Sequence, residues 1–397
     1  MTKFYQKIIE VNKGKHLPCP QAWTTNFIFA NGNVTCCTQN STSLGNLEVD
    51  SIDTIWNSNA AQTVRTEFLT GNYAAAGCDA ECPFLRGSYE PVLNPPNIDE
   101  LIQPDIEIPE DETEYSLNVN LALNDYLNQN IICKGLPVFS DIFWLEKCNA
   151  ACIQCNQDHN STLIISSNII DIIFNITKNN NYIRFQGGEV FSDPNFYPFL
   201  LKLTNHISND HLKIYLITNG VFLNDEILGH ISLNSSKFKI LLSIDAVNKL
   251  TFEKIRKNLK FTRLIDVITK LSIIKQTRSL DVVLNYCVMK SNIHELLDAC
   301  DFSNKYKIPI NFAAIQGNFG FENFFYDFKL HTKIMNNIQV IKIYSKMNSV
   351  VCSGLDGIIA RINNAKVGSE YDIRNSKLNT NFKKISIVSK LFLSKKS

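Results

Sequence analysis

Between about residues 140 and 315 the sequence alternates short apolar runs with segments of helical length, and this alternation constrains the fold more than any other feature. The runs are SDIFWLE, YIRFQ, LKIYLIT, FKILLSID, LDVVLNYCVM and IPINFAAI. Between them lie NIIDIIFNITK, FYPFLLKLTNHI, LNDEILGHI, a long helical stretch from about Leu250, and NIHELLDACDF. A tight hairpin cannot join parallel neighbours, so strands separated by helices imply parallel pairing through right-handed crossovers. About six such units predict an α/β domain over residues 140–320, shaped as a barrel or an open six-stranded arc. Periodicity alone leaves a doubly wound sheet open.

Composition supports a folded chain of 397 residues, 45% of them hydrophobic. A formal net charge of +1 provides no field that would draw the protein onto nucleic acid or an anionic membrane. No apolar run reaches the roughly 20 residues of a membrane span, and MTKFYQKIIEVNKGKH lacks a secretory signal core, so a soluble cytoplasmic protein is expected. The twelve cysteines are clustered rather than spread, which favours metal binding over a disulfide framework.

Residues 15–90 hold five of those cysteines and read as a small hairpin-and-helix region. Asn31-Gly32 in TNFIFANGNVTCC favours a tight turn, with Cys36 and Cys37 on the returning strand across from the segment after Cys19. Ser51 and Ser58 are candidate helix caps and Gly71 a stop, returning the chain to Cys78 and Cys82. Residues 91–139 are expected as a linker. Pro91, Pro95, Pro96, Pro104 and Pro109 and a group of acids mark its first part. A C-terminal extension over 321–397 ends in KLNTNFKKISIVSKLFLSKKS, read as a docked peripheral helix.

The sharpest chemical feature is Cys148-Asn-Ala-Ala-Cys152-Ile-Gln-Cys155, directly after the first of the six strands. Three thiolates on one short loop can wrap one face of a cubane iron-sulfur cluster and leave one iron open to a small molecule. Zinc is the alternative, although structural zinc sites use four ligands. YIRFQGGEVF places Gly187, Gly188 and Glu189 at a strand end, where the glycines permit close backbone approach and the carboxylate can hold an ammonium group. The same segment also reads as a plain turn, with Asp193 as cap and Pro194 opening the next helix. LITNG ends the third strand with Thr218, Asn219 and Gly220, and LLSID ends the fourth with Ser243 and Asp245. Each alone reads as a turn or cap; their recurrence at successive strand ends points polar groups at one mouth. Asn285, polar within VVLNYCV, is either a ligand contact or a satisfied core amide. Cys133, Cys287, Cys300 and Cys352 have no motif context and read as small buried residues.

Taken together, CxxxCxxC at Cys148, Cys152 and Cys155, the GGE of Gly187 to Glu189, and the TNG and SID strand ends resemble the radical S-adenosylmethionine enzymes, in the order found in that family. The resemblance covers about residues 140 to 315. It implies a partial (β/α)6 TIM-like barrel, a [4Fe-4S] cluster on the three cysteines, and S-adenosylmethionine on the open iron. It also implies that Glu189 contacts the methionine ammonium, that Gly187 and Gly188 shape that loop, and that Asn219, Ser243, Asp245 and Asn285 contact cofactor or substrate. One departure is Gln154, where the family commonly has an aromatic residue.

The N-terminal region resembles a SPASM or twitch auxiliary-cluster module, with Cys19, then Gly32 and Cys37, then Cys78 and Cys82 as four ligands for a second [4Fe-4S] cluster. Cys36 competes with Cys37, and structural zinc is the alternative occupant. This module precedes the core instead of following it, and the last two cysteines have three residues between them where two are usual. The resemblance implies a low-potential electron donor such as flavodoxin or ferredoxin. A peptide substrate is favoured because such modules accompany peptide modification, although no leader-binding domain is visible. Modification of a sugar or small metabolite, and a non-catalytic metal-binding role, are the other two expectations.

Overall fold

All six apolar runs form strands in the computed structural model, which describes residues 18–79, 82, 108, 113–206, 210–315 and 321–365. The acidic, proline-rich part of the expected linker and the basic C-terminal segment lie outside the described residues. The strands are β1 (Thr25–Ile28), β2 (Asn33–Thr35), β3 (Gly45–Asn46), β4 (Phe139–Phe143), β5 (Ala151–Cys152), β6 (Tyr182–Gln186), β7 (Lys213–Thr218), β8 (Phe238–Ser243), β9 (Arg256–Lys257), β10 (Asp281–Val288), β11 (Ile310–Ala314) and β12 (Cys352–Ser353). The chain divides into two compact units. The first takes residues up to 145, 163–217 and 229–240; the second takes 146–162, 218–228 and those from 241 onward.

In the first unit the strand order is β7-β6-β4-β1-β2-β3. β1, β4, β6 and β7 run parallel, while β2 and β3 are antiparallel additions. Alternation in β6 explains its two faces: Ile183 and Phe185 are fully buried, and Tyr182, Arg184 and Gln186 turn the other way. Phe185 packs with Trp144, Phe196 and Phe199 at ring-centroid separations of 5.9, 5.3 and 5.7 Å, which fixes the helix Phe196–His206 against the strands. Truncating such an aromatic to alanine costs about 3–5 kcal/mol. The opposite face carries a buried Asp141–Arg184 ion pair, with Gln186 Nε2 donating to Asp141 at 2.7 Å.

The hairpin turns at Asn31-Gly32 as the dipeptide predicts. Gly32 has φ +82°, and a side chain there would meet Asn46 Oδ1 at 2.7 Å. β2 ends at Thr35, so Cys36 and Cys37 follow the returning strand instead of lying in it. The hairpin is not set apart from the sheet, because β1 lies parallel to β4, with Phe27 opposite Asp141. Ser51 and Ser58 cap the helices Ile52–Trp56 and Asn59–Leu69 by accepting from Thr54 and Ala61 N–H, and Gly71 has φ +76° just past the second.

A helix, Glu114–Leu127, occupies part of the stretch expected as a linker. Thr113 caps it, accepting from Ser116 N–H at 3.2 Å. Its buried face includes Tyr115, Asn118, Val119, Ala122, Leu123 and Tyr126, and Asp125 on that face accepts from Lys134 and Gly135 N–H at 2.7 Å each.

In the second unit β10, β11 and β12 are parallel, and β5 and β9 form a two-residue antiparallel ladder. Among the described residues no helix is long and apolar enough to cross a membrane.

Candidate active site

The Cys148–Cys155 loop belongs to the second unit and is tied down by backbone before any cofactor is considered. Cys152 stands opposite Arg256 in the β5–β9 ladder, and Ile153 N–H donates to Ile255 O at 3.0 Å. Cys155 N–H donates to Cys152 O at 3.2 Å, closing the turn between these two cysteines. Ala150 N–H donates to the Cys148 sulfur at 3.5 Å, the kind of contact that stabilises a thiolate. All three thiols are half-buried. Burial pushes Cys152 up to about 11 although the Arg256 guanidinium pulls it down, and burial also raises Cys155. Thiols that resist ionising alone become thiolates when a cation compensates them, so the donor set fits an iron-sulfur cluster. The side chains are not drawn into closed ligating geometry: no set of three or more His, Cys, Asp or Glu stands so among the described residues.

Asp245, at the end of β8, adopts φ +53° and is 1% exposed. Its carboxylate accepts from Gln154 Nε2 at 2.5 Å, Arg256 at 2.7 Å and Cys287 N–H at 2.8 Å, while its carbonyl accepts from Asn292 Nδ2 at 2.8 Å. Thus Asp245 braces the cysteine loop. Asn219 joins the same loop by donating to Asn149 Oδ1 at 2.8 Å, and its own Oδ1 accepts from Val221 N–H. Ser243 is half-buried at the end of β8. Asn285 Oδ1 accepts from Asn311 Nδ2 at 3.0 Å, and Asn311 Oδ1 accepts from Ser353 Oγ at 2.9 Å, making a polar ladder across β10, β11 and β12. Arg256 and Asn292 were not read from the sequence as site residues. The only sequence signal for Arg256 is a cation a short distance after the SID strand end.

The GGE segment lies in the first unit. Gly187 has φ +136°, and a Cβ there would fall 2.3 Å from Leu145 O, so glycine is required. Gly188 N–H donates to that same carbonyl at 2.7 Å. Glu189 is fully buried, with Oε1 3.4 Å from Phe191 N. Asp193 accepts from Trp144 Nε1 at 2.7 Å and from Asn195 N–H at 3.0 Å, and the helix begins three residues later, at Phe196.

The N-terminal thiols also belong to the first unit. Cys19 and Cys36 are buried, and Cys37, Cys78 and Cys82 are half-buried. Burial raises Cys19 well above its ordinary value, and Cys82, Cys37 and Cys78 add to the rise. That group is the four cysteines expected as ligands. The adjacent Cys36 and Cys37 thiols interact, which raises the former and lowers the latter. Burial pushes Cys78 up to about 12 against the pull of Asn40, whose Nδ2 lies 3.5 Å from its sulfur. Of the cysteines without motif context, Cys133 and Cys300 are buried, and the Cys300 and Cys352 sulfurs lie 3.5 Å apart.

Comparison with known families gives two matches: the radical SAM superfamily over residues 142–303, and the SPASM iron-sulfur cluster-binding domain over residues 19–83. The first brings a [4Fe-4S] cluster and S-adenosylmethionine as cofactors, and the second an auxiliary iron-sulfur cluster. No curated protein matches the chain. Among solved structures, histidine-tagged anSMEcpe with bound AdoMet is 17% identical, with a TM-score of 0.44 over 54% of this chain and 60% of that one. SuiB of Streptococcus suis bound to the precursor peptide SuiA is 13% identical, with a TM-score of 0.46 over 85% and 72%. The chain thus spans about three fifths of the length of the first of these.

Proposed function

We propose, from the premise that the chain belongs to the radical SAM superfamily and carries an iron-sulfur SPASM domain at its N-terminal end, that it is an S-adenosylmethionine-cleaving enzyme that oxidatively modifies a peptide or protein. The observation that carries this reading is the set of three half-buried thiols on one loop, fastened by the β5–β9 ladder. When bound, the cluster supplies the electron that cleaves S-adenosylmethionine to methionine and a 5′-deoxyadenosyl radical, which takes a hydrogen atom from the substrate. Cys148, Cys152 and Cys155 hold that cluster. Gly187 leaves room at its strand end and Glu189 receives the methionine ammonium. Asn219 and Asp245 keep the cysteine loop in place, with Ser243 and Asn285 at neighbouring strand ends. Six strand-and-helix repeats support a partial (β/α)6 barrel as the frame for these groups. Cys19, Cys37, Cys78 and Cys82 hold the auxiliary cluster. Cys36 competes with Cys37 for that cluster, since both lie within electrostatic reach of Cys19 and Cys78. The SPASM domain supports the peptide substrate, and a flavodoxin- or ferredoxin-type donor would supply the electron.

The test is anaerobic reconstitution with iron and sulfide, reduction with dithionite, and chromatography for 5′-deoxyadenosine. Formation by the wild type and loss in Cys152→Ala is the expected result. No deoxyadenosine from a fully loaded cluster would sink the reading and leave a metal-binding protein.

A further inference from the structure

We infer that Arg256 is a positioning residue that sets the reduction potential of the cluster on the cysteine loop, by holding a guanidinium against the Cys152 sulfur. The inference rests on the proposed cluster at Cys148, Cys152 and Cys155. Arg256 and Cys152 are directly opposed in the β5–β9 ladder, so backbone pairing and not a flexible side chain sets their approach. The guanidinium is 8% exposed, and its NH1 lies 3.9 Å from the Cys152 sulfur. Asp245 holds the other side of the fork, with NH2 at 2.7 Å. Asp245 is itself fixed by Gln154, by Cys287 N–H and by Asn292, which leaves the arginine little freedom to swing away.

Two further atoms point to a bound group at this spot. Arg256 Nε and Gln154 Oε1 are buried and have no hydrogen-bond partner among the described residues, a donor and an acceptor in one network. A polypeptide that buried these groups for packing alone would leave both costs uncompensated.

The electrostatic consequence has a sign. An iron-sulfur cluster gains one negative charge on reduction, and cations and N–H donors at its sulfurs favour the reduced form. Arg256 supplies both, and Asp245, on the far side of the fork, opposes it in part. The arginine therefore raises the potential, and the aspartate moderates the rise.

The experiment is an anaerobic redox titration of reconstituted protein, followed by electron paramagnetic resonance of the core cluster, with iron content measured in parallel. Arg256→Gln is expected to lower the reduced-to-oxidised ratio at a fixed applied potential about tenfold, which for one electron is 59 mV. Asp245→Asn is expected to move the ratio the opposite way, and Arg256→Lys to keep most of the wild-type value. A merely structural role would move the glutamine and asparagine variants in the same direction, or neither, and either outcome at full iron loading overturns the inference. It is also overturned if Arg256→Gln leaves the potential unchanged and weakens only S-adenosylmethionine binding in calorimetry, for the arginine would then be a cofactor ligand. Should Arg256→Gln fail to hold iron, the lysine and asparagine variants decide by the same signs. Failure of the wild type to load iron on the loop is a separate result, and counts against the proposed function.

Discussion

The loop of Cys148, Cys152 and Cys155 and the thiols of the N-terminal region provide the same kind of donor set by different routes. In the loop, three cysteines fall within one short run, and a two-residue ladder plus one buried ion pair hold it. In the N-terminal region the four expected ligands are spread from Cys19 to Cys82, and the other three come within electrostatic reach of Cys19 only through a hairpin, two capped helices and a return segment. A local set depends on its own loop, whereas an assembled set depends on the stability of everything between its members.

The largest effect that would test this contrast is on iron content. Cys152→Ala should empty the core site and abolish deoxyadenosine formation while leaving about four iron atoms bound at the N-terminal site. Cys37→Ala should do the reverse, keeping substrate-independent cleavage of S-adenosylmethionine. If either variant emptied both sites, the two sets would not be independent.

Arg65→Met comes next. The Arg65 guanidinium donates to the carbonyls of Ala22, Trp56 and Ile131 at 2.9, 2.8 and 2.9 Å, tying the segment just after Cys19 to the helix Ile52–Trp56 and to the chain before Cys133. Its loss should cost about 3 kcal/mol or more in urea denaturation of the cluster-free protein, because it leaves buried carbonyls unpaired. Auxiliary iron should fall and core iron stay; equal loss from both would break the contrast.

Asn40→Ala is a finer probe, since Asn40 donates to Ala76 O at 2.8 Å and sits beside the Cys78 sulfur. About 1 kcal/mol of destabilisation is expected, together with slower alkylation of Cys78 in cluster-free protein, followed by mass spectrometry, because the donor that favours its thiolate is lost.

The last probe is pH dependence. Burial raises Cys78 from an ordinary 9.0 to about 12 and Cys152 to about 11, so the folded state favours the neutral thiols. Their contribution to stability is complete below about 9 and is lost as pH rises through the folded values. Thermal unfolding of the cluster-free protein should therefore weaken steadily above pH 9, with the loss continuing to higher pH at Cys78 than at Cys152.

What was legible in the sequence follows from how local each feature is. The six strands were readable because apolar runs of strand length alternate with helical segments. Ser51 and Ser58 were readable because a cap is a one-residue signal next to its helix. The cysteine loop was readable from spacing alone. The helix Glu114–Leu127 was not, because its buried face includes Asn118 and Asp125, whose partners lie in another segment and so do not register as apolar periodicity. Arg256 escaped for a related reason: its role depends on the register of β5 with β9, strands of two residues each that no propensity argument would find. Asp245 is expected from its strand end as a cofactor or substrate contact, whereas its engagement with Arg256, Gln154 and Cys287 depends on tertiary contacts that the strand end does not signal.

The parallel pairing of β1 with β4 has a consequence for how this protein could have been built or could be dissected. An auxiliary module joined only by a tether could be exchanged like a cassette. Here Thr25–Ile28 covers a flank of the strand that leads into the cysteine loop. Excising the N-terminal region would strip β4 of its neighbour and leave a row of unpaired backbone donors and acceptors open to association. The N-terminal hairpin and the parallel strands beside it were therefore not free to evolve as separable parts.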